Sequence, residues 1–193
     1  MTEKNAKTTE KEKMRRGELY DANFDKELLA ERDKCKALCF AYNRTPYENK
    51  AEREKILRQI IPSAKQNVTI EPDFWCDYGY NIELGENFYS NHNLVVLDGA
   101  KVAFGDNVFI GPNCAFYTAG HPLDAARRNK GLEYAKPVCV GNNVWIGGNV
   151  VVCAGVTIGD GCVIGAGSVV VKDIEAGSLA VGNPCRVIRK IDP

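Results

Sequence analysis

Residues 138–171 read VCVGNNVWIGGNVVVCAGVTIGDGCVIGAGSVVV and contain a repeat with a period of six. Aliphatic residues occupy every sixth position without a gap, at Val140, Ile146, Val152, Ile158, Ile164 and Val170. A second series with the same period lies four positions later, at Val144, Val150, Val156, Cys162 and Ser168. Random apolar composition rarely produces two such unbroken series, so this stretch predicts an architecture of stacked repeats.

The period itself limits the fold. A period of six differs from the helical period of about 3.6 and from the strand spacing of an antiparallel sandwich. It indicates a short strand and a turn, repeated three times to close one triangular coil. Stacked coils bury the recurring aliphatic residues in a continuous core, and small residues beside them allow tight corners. We therefore predict a parallel β-helix.

The same series extends upstream and is interrupted once. It runs through Ile70, Cys76, Ile82, Phe88 and Leu94, shifts by two residues around residues 97–99, and resumes at Val102, Val108 and Cys114. Residues 118–137 have no six-residue pattern and include the charged segment Arg127-Arg128-Asn129-Lys130. We predict an excursion loop over residues 118–137, with no evident role in packing.

The composition changes sharply near residue 66. Of the 50 charged residues, 28 lie in the first 65 positions, whereas all 18 valines lie from Val68 onward and 17 of the 18 glycines from Gly79 onward. Helix formers thus precede strand and turn formers. We divide the chain into a polar tail (1–13), an N-terminal helical segment (14–65) and a β-helix domain (66–193).

Two helices are expected in the helical segment. Asp25 is a candidate N-cap for the first helix, whose apolar residues recur at helical spacing: Leu28, Cys35, Leu38, Cys39 and Tyr42. Thr45-Pro46-Tyr47-Glu48 has the form of a capping box with proline at the first helical position. It predicts a second helix that ends before Pro62 and carries Ile56, Leu57, Ile60 and Ile61.

Charge and hydropathy exclude several classes of protein. The 25 basic and 25 acidic side chains give a formal net charge of zero. The chain as a whole lacks the positive field that nucleic-acid and membrane-surface binders usually need, which favours a small or uncharged partner. No apolar run approaches the roughly 18 residues of a membrane span, and residues 1–13 contain no signal-peptide core. We predict a cytoplasmic protein that binds neither nucleic acid nor membranes.

The eight cysteines include no C-x-x-C pair, which argues against a zinc site. We interpret them as small buried residues in a reducing compartment, with no metal required. They are Cys35, Cys39, Cys76, Cys114, Cys139, Cys153, Cys162 and Cys185.

Five ordered motifs connect the repeats to a known family. They are Gly17-Glu18-Leu19-Tyr20, Cys76-Asp77-Tyr78-Gly79-Tyr80-Asn81-Ile82, Gly120-His121-Pro122, Asn142-Asn143-Val144-Trp145-Ile146-Gly147-Gly148, and Gly182-Asn183-Pro184-Cys185-Arg186-Val187-Ile188. The hexapeptide repeats resemble the left-handed β-helix acyltransferases. The motifs narrow the resemblance to the maltose and galactoside O-acetyltransferase family, from about Lys13 to Ile191.

The resemblance implies a mainly β protein, a left-handed parallel β-helix of hexapeptide repeats preceded by an N-terminal helical segment, with one excursion loop. It also implies a homotrimer that transfers an acetyl group from acetyl-CoA to a sugar hydroxyl, without a metal. Hexapeptide coils alone would also fit a carbonic anhydrase or a pyrophosphorylase, because fold does not fix function. A metal-dependent carbonic anhydrase would need three histidines, and this sequence has two.

Acetyl transfer needs a base for the hydroxyl proton and a donor for the developing oxyanion. Histidine suits the first role because its ordinary pKa is about 6.5. The family match assigns the base to His121 in the excursion loop. It places Asn91 beside the acceptor hydroxyl and the backbone N–H of Gly148 at the oxyanion. His92 has no such match and is interpreted as a corner residue.

The family match also implies the sugar contacts. Asp77 and Asp98 correspond to sugar-contacting positions, and carboxylates accept hydrogen bonds from sugar hydroxyls. Asp21 is the expected third contact, although the chain carries one extra residue around Phe24 relative to the family. Glu133, grouped with the substrate-binding residues, could orient His121 by accepting its other N–H, or be a solvated surface charge.

Coenzyme A is expected to lie along the coils in a groove between neighbouring subunits. The matched positions are Ala166, Val171 and Lys172, with Arg186 and Arg189 at the phosphates. Gly148, at the oxyanion, and Trp145, as a wall of the active site, are grouped with these cofactor-binding residues. A guanidinium can bond two phosphate oxygens at once. Two alternatives stay open here: the arginines could form a basic C-terminal cap, and Trp145 could be an outward-facing packing residue.

Several functional alternatives also stay open. The acceptor could be the 6-hydroxyl of maltose, glucose or a galactoside, or a different hydroxyl or amino group, and a non-catalytic scaffold would share the coils. An acyl-cysteine mechanism is disfavoured because Cys76, Cys114 and Cys162 all fall on inward positions of the repeat, where thiols resist ionisation.

Overall fold

The structure is a computed structural model that describes residues 8–191. Its elements in chain order are α1 (Glu10–Arg15), β1 (Tyr20–Asp21), α2 (Lys26–Arg44), α3 (Lys50–Ile60), β2 (Thr69–Ile70), β3 (Phe74–Cys76), β4 (Ile82–Leu84), β5 (Tyr89–Ser90), β6 (Leu94–Leu97), β7 (Val102–Phe104), β8 (Phe109–Ile110), β9 (Ala115–Tyr117), β10 (Ala119–Gly120), α4 (Ala125–Arg128), β11 (Leu132–Ala135), β12 (Val138–Val140), β13 (Trp145–Ile146), β14 (Val151–Val152), β15 (Thr157–Ile158), β16 (Val163–Ile164), β17 (Val169–Val170), β18 (Ser178–Val181) and β19 (Arg186–Lys190).

Three parallel sheets form the body of the molecule. Sheet 1 contains β2, β5, β8, β13, β16 and β18; sheet 2 contains β3, β6, β9, β14 and β17; sheet 3 contains β4, β7, β12 and β15. The chain visits the sheets in rotation, so three successive strands complete one coil. This arrangement confirms the predicted parallel β-helix. The final strand, β19, pairs antiparallel with β18 at the edge of sheet 1.

The six-residue period places the repeat positions in the core. Ile146 pairs with Ile164, three repeats further along the chain, and both side chains are fully buried. Phe88, Phe104 and Phe116 stack edge to face through the earlier coils, with ring centroids 5.1 and 4.9 Å apart. The core is therefore continuous from the first coils to the last.

The corners between sheets depend on asparagine. Among residues 8–191, seven non-glycine residues have positive φ angles, and all are asparagines: Asn67, Asn87, Asn93, Asn107, Asn113, Asn143 and Asn149. Asparagine tolerates this left-handed backbone conformation better than other non-glycine residues. Their side chains also form a ladder between coils, since Asn87 Nδ2 donates to Asn107 Oδ1 at 3.0 Å.

Two of the corners matter for function. The sheet 1–2 corner is the column of turns that includes residues 91–93, 111–113, 147–149 and 165–167. The sheet 2–3 corner includes residues 77–81, 98–101, 153–155 and 171–173, and the excursion loop leaves the β-helix there, between β9 and β12.

Helices α2 and α3 cover the first coil. The Asp25 carboxylate accepts a hydrogen bond from the Leu28 N–H at 3.0 Å, which confirms the predicted N-cap of α2. The predicted start of the second helix at Thr45 is wrong. Thr45 instead forms the C-cap of α2, where its hydroxyl donates to the Ala41 carbonyl at 2.8 Å, and Asn49 caps α3.

The predicted excursion loop contains regular structure. Its strands β10 and β11 form a three-stranded antiparallel sheet with β1, and α4 lies between them. Around this sheet is a buried cluster that joins the loop to the N-terminal segment, formed by Met14, Tyr20, Ala22, Leu28, Tyr78 and Ala135. The expectation that the loop has no role in packing is therefore wrong.

Helix α1 begins inside the segment assigned to a polar tail. Thr9 and Glu12 form a capping box at its start, with the Glu12 N–H 3.1 Å from Thr9 Oγ1. Residues 1–7 of that predicted tail lie outside the described residues. Across residues 8–191, none of the helices has the length and apolar character needed to cross a membrane.

Candidate active site

His121 follows β10 at the base of the excursion loop. Its Nδ1 lies 3.1 Å from the Leu132 carbonyl oxygen. Because a carbonyl oxygen only accepts, this contact requires the proton on Nδ1 and leaves the Nε2 lone pair available. The side chain is 47% exposed, so a substrate can reach it. The imidazole is therefore held by the backbone in the tautomer that accepts a proton at Nε2.

Glu133 lies on the Nε2 side of His121. Its Oε1 is 3.7 Å from Nε2, which is longer than a hydrogen bond, and its Oε2 accepts from the Tyr20 hydroxyl at 3.3 Å. Burial raises the pKa of Glu133, while the nearby His121 and Arg32 lower it. The interpretation that Glu133 accepts the other imidazole N–H is wrong, because the Leu132 carbonyl occupies that position.

The loop sheet fixes these positions. β11 pairs with β1 so that Tyr20 lies opposite Glu133, and with β10 so that Gly120 lies opposite Tyr134. A Cβ at Gly120 would lie 2.6 Å from the outer end of the Tyr134 ring, so a larger residue there would displace this ring beside His121.

Asp21 lies next to this pair, opposite Leu132 on β11. Its Oδ1 accepts from the backbone N–H groups of Asn23 and Phe24, at 3.1 and 2.9 Å. One carboxylate oxygen is therefore engaged in its own turn. The exposed ring of Phe24, where the extra residue was inferred, packs against Gly131 of the excursion loop.

Asp77 and Asp98 lie together at the sheet 2–3 corner. Asp98 is fully buried, and its Oδ1 accepts from the backbone N–H groups of Asp77 and Tyr78 at 3.0 and 2.8 Å. Its Oδ2 has no hydrogen-bond partner within residues 8–191. Burial raises the pKa of Asp98 to about 6, and the neighbouring Asp77 carboxylate adds to the effect.

Electrostatics join this corner to the excursion loop. Burial raises the pKa of Asp77, with Arg32 and Lys36 opposing the shift, and the Asp77 charge raises the pKa of Glu133. Arg32 from α2 acts on Asp77 and on Glu133 alike, and one of its Nη atoms donates to the Ala22 carbonyl. The structure thus brings the loop and the corner into one polar region.

Two members of this region escaped the sequence analysis. Tyr20 was quoted only as part of a motif, yet its hydroxyl contacts Glu133. Arg32 lies in a helix whose charges were interpreted as a solvated face, and no local pattern distinguishes it from them. Only the packing of α2 against the first coils reveals its role.

A second group of predicted residues lies at the sheet 1–2 corner. Asn91, Gly148 and Ala166 all lie in this column, with the turn at residues 111–113 between the levels of Asn91 and Gly148. The Gly167 N–H donates to the Gly148 carbonyl at 2.9 Å. The Asn91 side chain accepts from the His92 N–H at 2.7 Å, which agrees with a corner position for both residues.

The Gly148 amide is available at this corner. The flanking N–H groups of Gly147 and Asn149 donate to carbonyls of neighbouring coils, each at 2.8 Å. The Gly148 N–H makes no such bond to any residue that the structure describes. Its position is half-buried, which suits a donor for an oxyanion.

The structure does not bring the two groups together within one chain. His121 belongs to the sheet 2–3 corner, and Asn91 and Gly148 belong to the sheet 1–2 corner. Over the described part of the chain, no hydrogen bond or ion pair links His121 to either residue.

The residues matched to coenzyme A spread over several faces. Trp145 is 58% exposed on the outer face of sheet 1, and Val171 and Lys172 follow β17 at the sheet 2–3 corner. Arg186 and Arg189 are exposed on β19. Their guanidinium groups donate to backbone carbonyls of Cys185 and Lys190 at 2.7 and 3.1 Å. Both arginines keep further donors facing solvent.

The inward cysteines are buried as predicted. Cys76, Cys114 and Cys162 are at most 4% exposed. Burial raises the pKa of the Cys114 thiol, which disfavours the thiolate that an acyl-cysteine mechanism would need.

A β-helix of six-residue repeats, with an excursion loop that holds a histidine beside a glutamate, is typical of a hexapeptide-repeat transferase. Residues 140–172 match the bacterial transferase hexapeptide family (six repeats), and residues 13–65 match the maltose acetyltransferase hexapeptide capping motif. The chain belongs to the maltose and galactoside O-acetyltransferase family and is an acetyltransferase.

Solved structures support this placement. A maltose O-acetyltransferase from Clostridium difficile 630 is 53% identical, with a TM-score of 0.92 over 96% of this chain and 98% of that one. A galactoside acetyltransferase in complex with coenzyme A is 41% identical, with a TM-score of 0.90 over 94% and 90%. A hexapeptide-repeat acetyltransferase from Vibrio cholerae, complexed with acetyl coenzyme A, is 38% identical, with a TM-score of 0.87 over 96% and 100%.

Proposed function

We propose that the protein transfers the acetyl group of acetyl-CoA to a hydroxyl group of a sugar, the 6-hydroxyl of maltose, glucose or a galactoside, with His121 as general base. The observation that carries the proposal is the contact between His121 Nδ1 and the Leu132 carbonyl, which leaves Nε2 free to accept a proton. The acceptors named for the similar structures and their bound coenzyme A support the two substrates.

The reaction proceeds by direct attack. The sugar hydroxyl gives its proton to His121 Nε2 as its oxygen forms a bond to the thioester carbonyl carbon. The carbonyl oxygen becomes an oxyanion and accepts from the Gly148 N–H. The tetrahedral intermediate then breaks its C–S bond, and the imidazolium returns the proton to the coenzyme A thiolate. The Glu133 carboxylate, 3.7 Å from Nε2, stabilises the imidazolium formed in between.

The polar region at the sheet 2–3 corner holds the sugar. Asp77 accepts hydrogen bonds from sugar hydroxyls, and Asp21 and Glu133 border the same region. Asp98 is fully buried, so it supports the sugar site from below by holding the backbone N–H groups of Asp77 and Tyr78. Asn91 contacts the acceptor from the sheet 1–2 corner.

Coenzyme A binds along the coils toward the C-terminus. The proposed contacts are Trp145, Gly148, Ala166, Val171 and Lys172, with Arg186 and Arg189 at the phosphates. The exposure of both arginines on β19 agrees with phosphate binding better than with a structural cap.

A complete site requires more than one chain. His121 and the sugar-binding carboxylates lie at one corner of the β-helix, and Asn91 and Gly148 lie at another. A cyclic trimer places the sheet 2–3 corner of one subunit beside the sheet 1–2 corner of the next and creates three equivalent sites. We therefore include a homotrimer in the proposal.

The test is an acetyl-CoA consumption assay across a panel of sugars and amino sugars, with identification of the product. Acetylation of a sugar hydroxyl is expected, and loss of turnover with a glycoside that lacks the 6-hydroxyl would assign the position. Exclusive N-acetylation of amino sugars, or no acetyl-CoA consumption with any acceptor, would contradict the proposal.

A further inference from the structure

Three thiols meet at the contact between α2 and the first coil, next to the sheet 2–3 corner, because Cys76 directly precedes Asp77. Cys35 and Cys39 lie one turn apart on the buried face of α2, and Cys76 ends β3. The Sγ atoms of Cys35 and Cys76 are 3.5 Å apart, and those of Cys39 and Cys76 are 3.8 Å apart. All three Sγ atoms lie within 4.8 Å of one another, and all three residues are buried.

The two separations of 3.5 and 3.8 Å are close to those of sulfurs that share one metal ion. With metal–sulfur bonds of about 2.3 Å, two sulfur ligands lie about 3.8 Å apart at tetrahedral angles and about 4.0 Å apart at trigonal angles. A disulfide would instead require one pair of sulfurs to approach to about 2.05 Å. Trigonal coordination would therefore require the sulfurs of Cys35 and Cys76 to move apart by about 0.5 Å and those of Cys39 and Cys76 by about 0.2 Å.

The number of ligands narrows the choice of ion. Within residues 8–191, no fourth His, Cys, Asp or Glu atom joins the three thiols. A structural zinc site uses four protein ligands, and thiolates as soft ligands also select Cu(I). Three sulfurs on a buried apolar face fit a three-coordinate Cu(I) ion better than a tetrahedral Zn²⁺.

We propose that Cys35, Cys39 and Cys76 form a trigonal binding site for Cu(I), which borders the sheet 2–3 corner but shares no ligand with the proposed acetyl-transfer site. Binding replaces thiol protons by Cu–S bonds, releases those protons to solvent and needs no change in oxidation state. A surface pocket of about 210 Å³ between α2 and α3 has Cys35 and Leu38 in its lining, so it reaches one edge of the cluster.

The site has a structural consequence. Two of its ligands belong to the N-terminal helical segment and the third to the β-helix, so the ion fastens α2 to the first coil. An ion that binds the folded chain and not the unfolded one raises thermal stability. The sequence pattern did not reveal the site, because the C-x-x-x-C pair lies on a helix and its partner occupies a repeat position 37 residues beyond Cys39.

The test is an anaerobic titration of the reduced protein with Cu(I) in competition with a chromophoric Cu(I) chelator, in the absence of coenzyme A. The wild type is expected to bind one Cu(I) and to unfold at a higher temperature when loaded. X-ray absorption at the copper edge should give three sulfur neighbours. Cys76→Ser should weaken Cu(I) binding by more than about 100-fold, beyond the usual effect of changes outside the ligand set.

Cys162→Ser is the matched control, since Cys162 is another fully buried thiol on an inward repeat position but lies outside the cluster. It should bind Cu(I) like the wild type. Cys39→Ser provides a second ligand variant on α2, with circular dichroism to verify folding. Equal Cu(I) affinity in Cys39→Ser, Cys76→Ser and Cys162→Ser, or a wild type that binds no Cu(I), would overturn the site. A bound Zn²⁺ with a fourth, non-sulfur ligand would overturn the choice of ion.

Discussion

The repeat region (residues 138–171) and the excursion loop (residues 118–137) reach their structures in different ways. In the repeat region the pairs β12–β15, β13–β16 and β14–β17 each join residues three repeats apart, so these contacts follow from the local period. The loop instead depends on β1, and Tyr20 contacts Glu133 across 113 residues of chain. The scaffold thus rests on many equivalent contacts, whereas the site rests on a few that occur once.

The substitution with the largest expected effect is His121→Ala, which tests whether the catalytic base lies in the excursion loop. His121→Ala removes the imidazole that accepts the hydroxyl proton, so kcat should fall by about 10²–10⁴-fold. Acetyl-CoA affinity and thermal stability should stay near the wild-type values. Steady-state kinetics will measure the loss, with His92→Ala at the sheet 1–2 corner as the control. Equal losses in both variants would mean that the base is assigned to the wrong histidine.

A substitution in the core of the repeat region tests whether that region determines stability and not catalysis. Ile164→Ala creates a cavity in the repeat region and should lower the free energy of unfolding by about 2–5 kcal/mol, while the folded fraction keeps its kcat. Denaturant titration combined with kinetics at low temperature will separate the two quantities. Val163→Ala, on the outer side of the same strand, should cost less stability. If Ile164→Ala kept the wild-type stability and lowered kcat, the repeat region would act in catalysis and not only as a scaffold.

Substitutions at the two substrates' proposed contacts sharpen the comparison further. Loss of a charged hydrogen-bond partner costs roughly 1.5–3 kcal/mol, so Asp77→Ala should reduce kcat/KM for the sugar by about 10–100-fold. Acetyl-CoA affinity should remain near normal. Arg189→Ala should have the reverse effect, with a loss that depends on ionic strength. If Asp77→Ala impaired acetyl-CoA binding and left the sugar unaffected, the two sites would be misplaced.

Asp98, at the sheet 2–3 corner, makes the free energy of unfolding of the protein depend on pH. Its pKa is about 6 in the folded protein and about 3.9 in an unfolded chain. Between these values the folded protein holds a proton that the unfolded chain has released, so this group lowers stability as the pH rises from about 4 to about 6.

Asp98→Asn removes this titration and keeps a side-chain oxygen for the Asp77 and Tyr78 N–H groups. Over the same pH window, the free energy of unfolding of the variant should rise relative to the wild type by up to about 3 kcal/mol. Denaturant titrations at a series of pH values will measure the difference. A difference that does not change with pH would show that Asp98 does not titrate in this range.

The comparison also explains what the sequence could predict. The inward positions of the repeat region and the N-cap at Asp25 follow from local patterns, and the structure confirms them. Thr45 satisfies two local patterns, a helix start and a helix end, and only the path of the chain after α2 decides between them. Local sequence patterns therefore predict the structure correctly where each pattern is compatible with only one local conformation.

The site could be predicted only in part. The motifs identified His121 and the aspartates, but the roles of Leu132, Tyr20 and Arg32 depend on the pairing of β1 with β11 and on the packing of α2. These contacts join segments far apart in the chain and leave no periodic signal. The contact of Cys76 with Cys35 on α2 could not be predicted for the same reason, because the two residues lie 41 positions apart in the chain.

The central claim is that each active site combines the sheet 2–3 corner of one subunit with the sheet 1–2 corner of its neighbour. Mixed trimers of two inactive variants test it directly. Inactive His121→Ala and Asn91→Ala chains are unfolded, combined in equal amounts and refolded together. Because random assembly in a cyclic trimer joins two intact halves at about one quarter of the interfaces, activity should return to about a quarter of the wild-type level. If mixed trimers form and remain as inactive as either variant alone, both residues act within one chain and the account is contradicted.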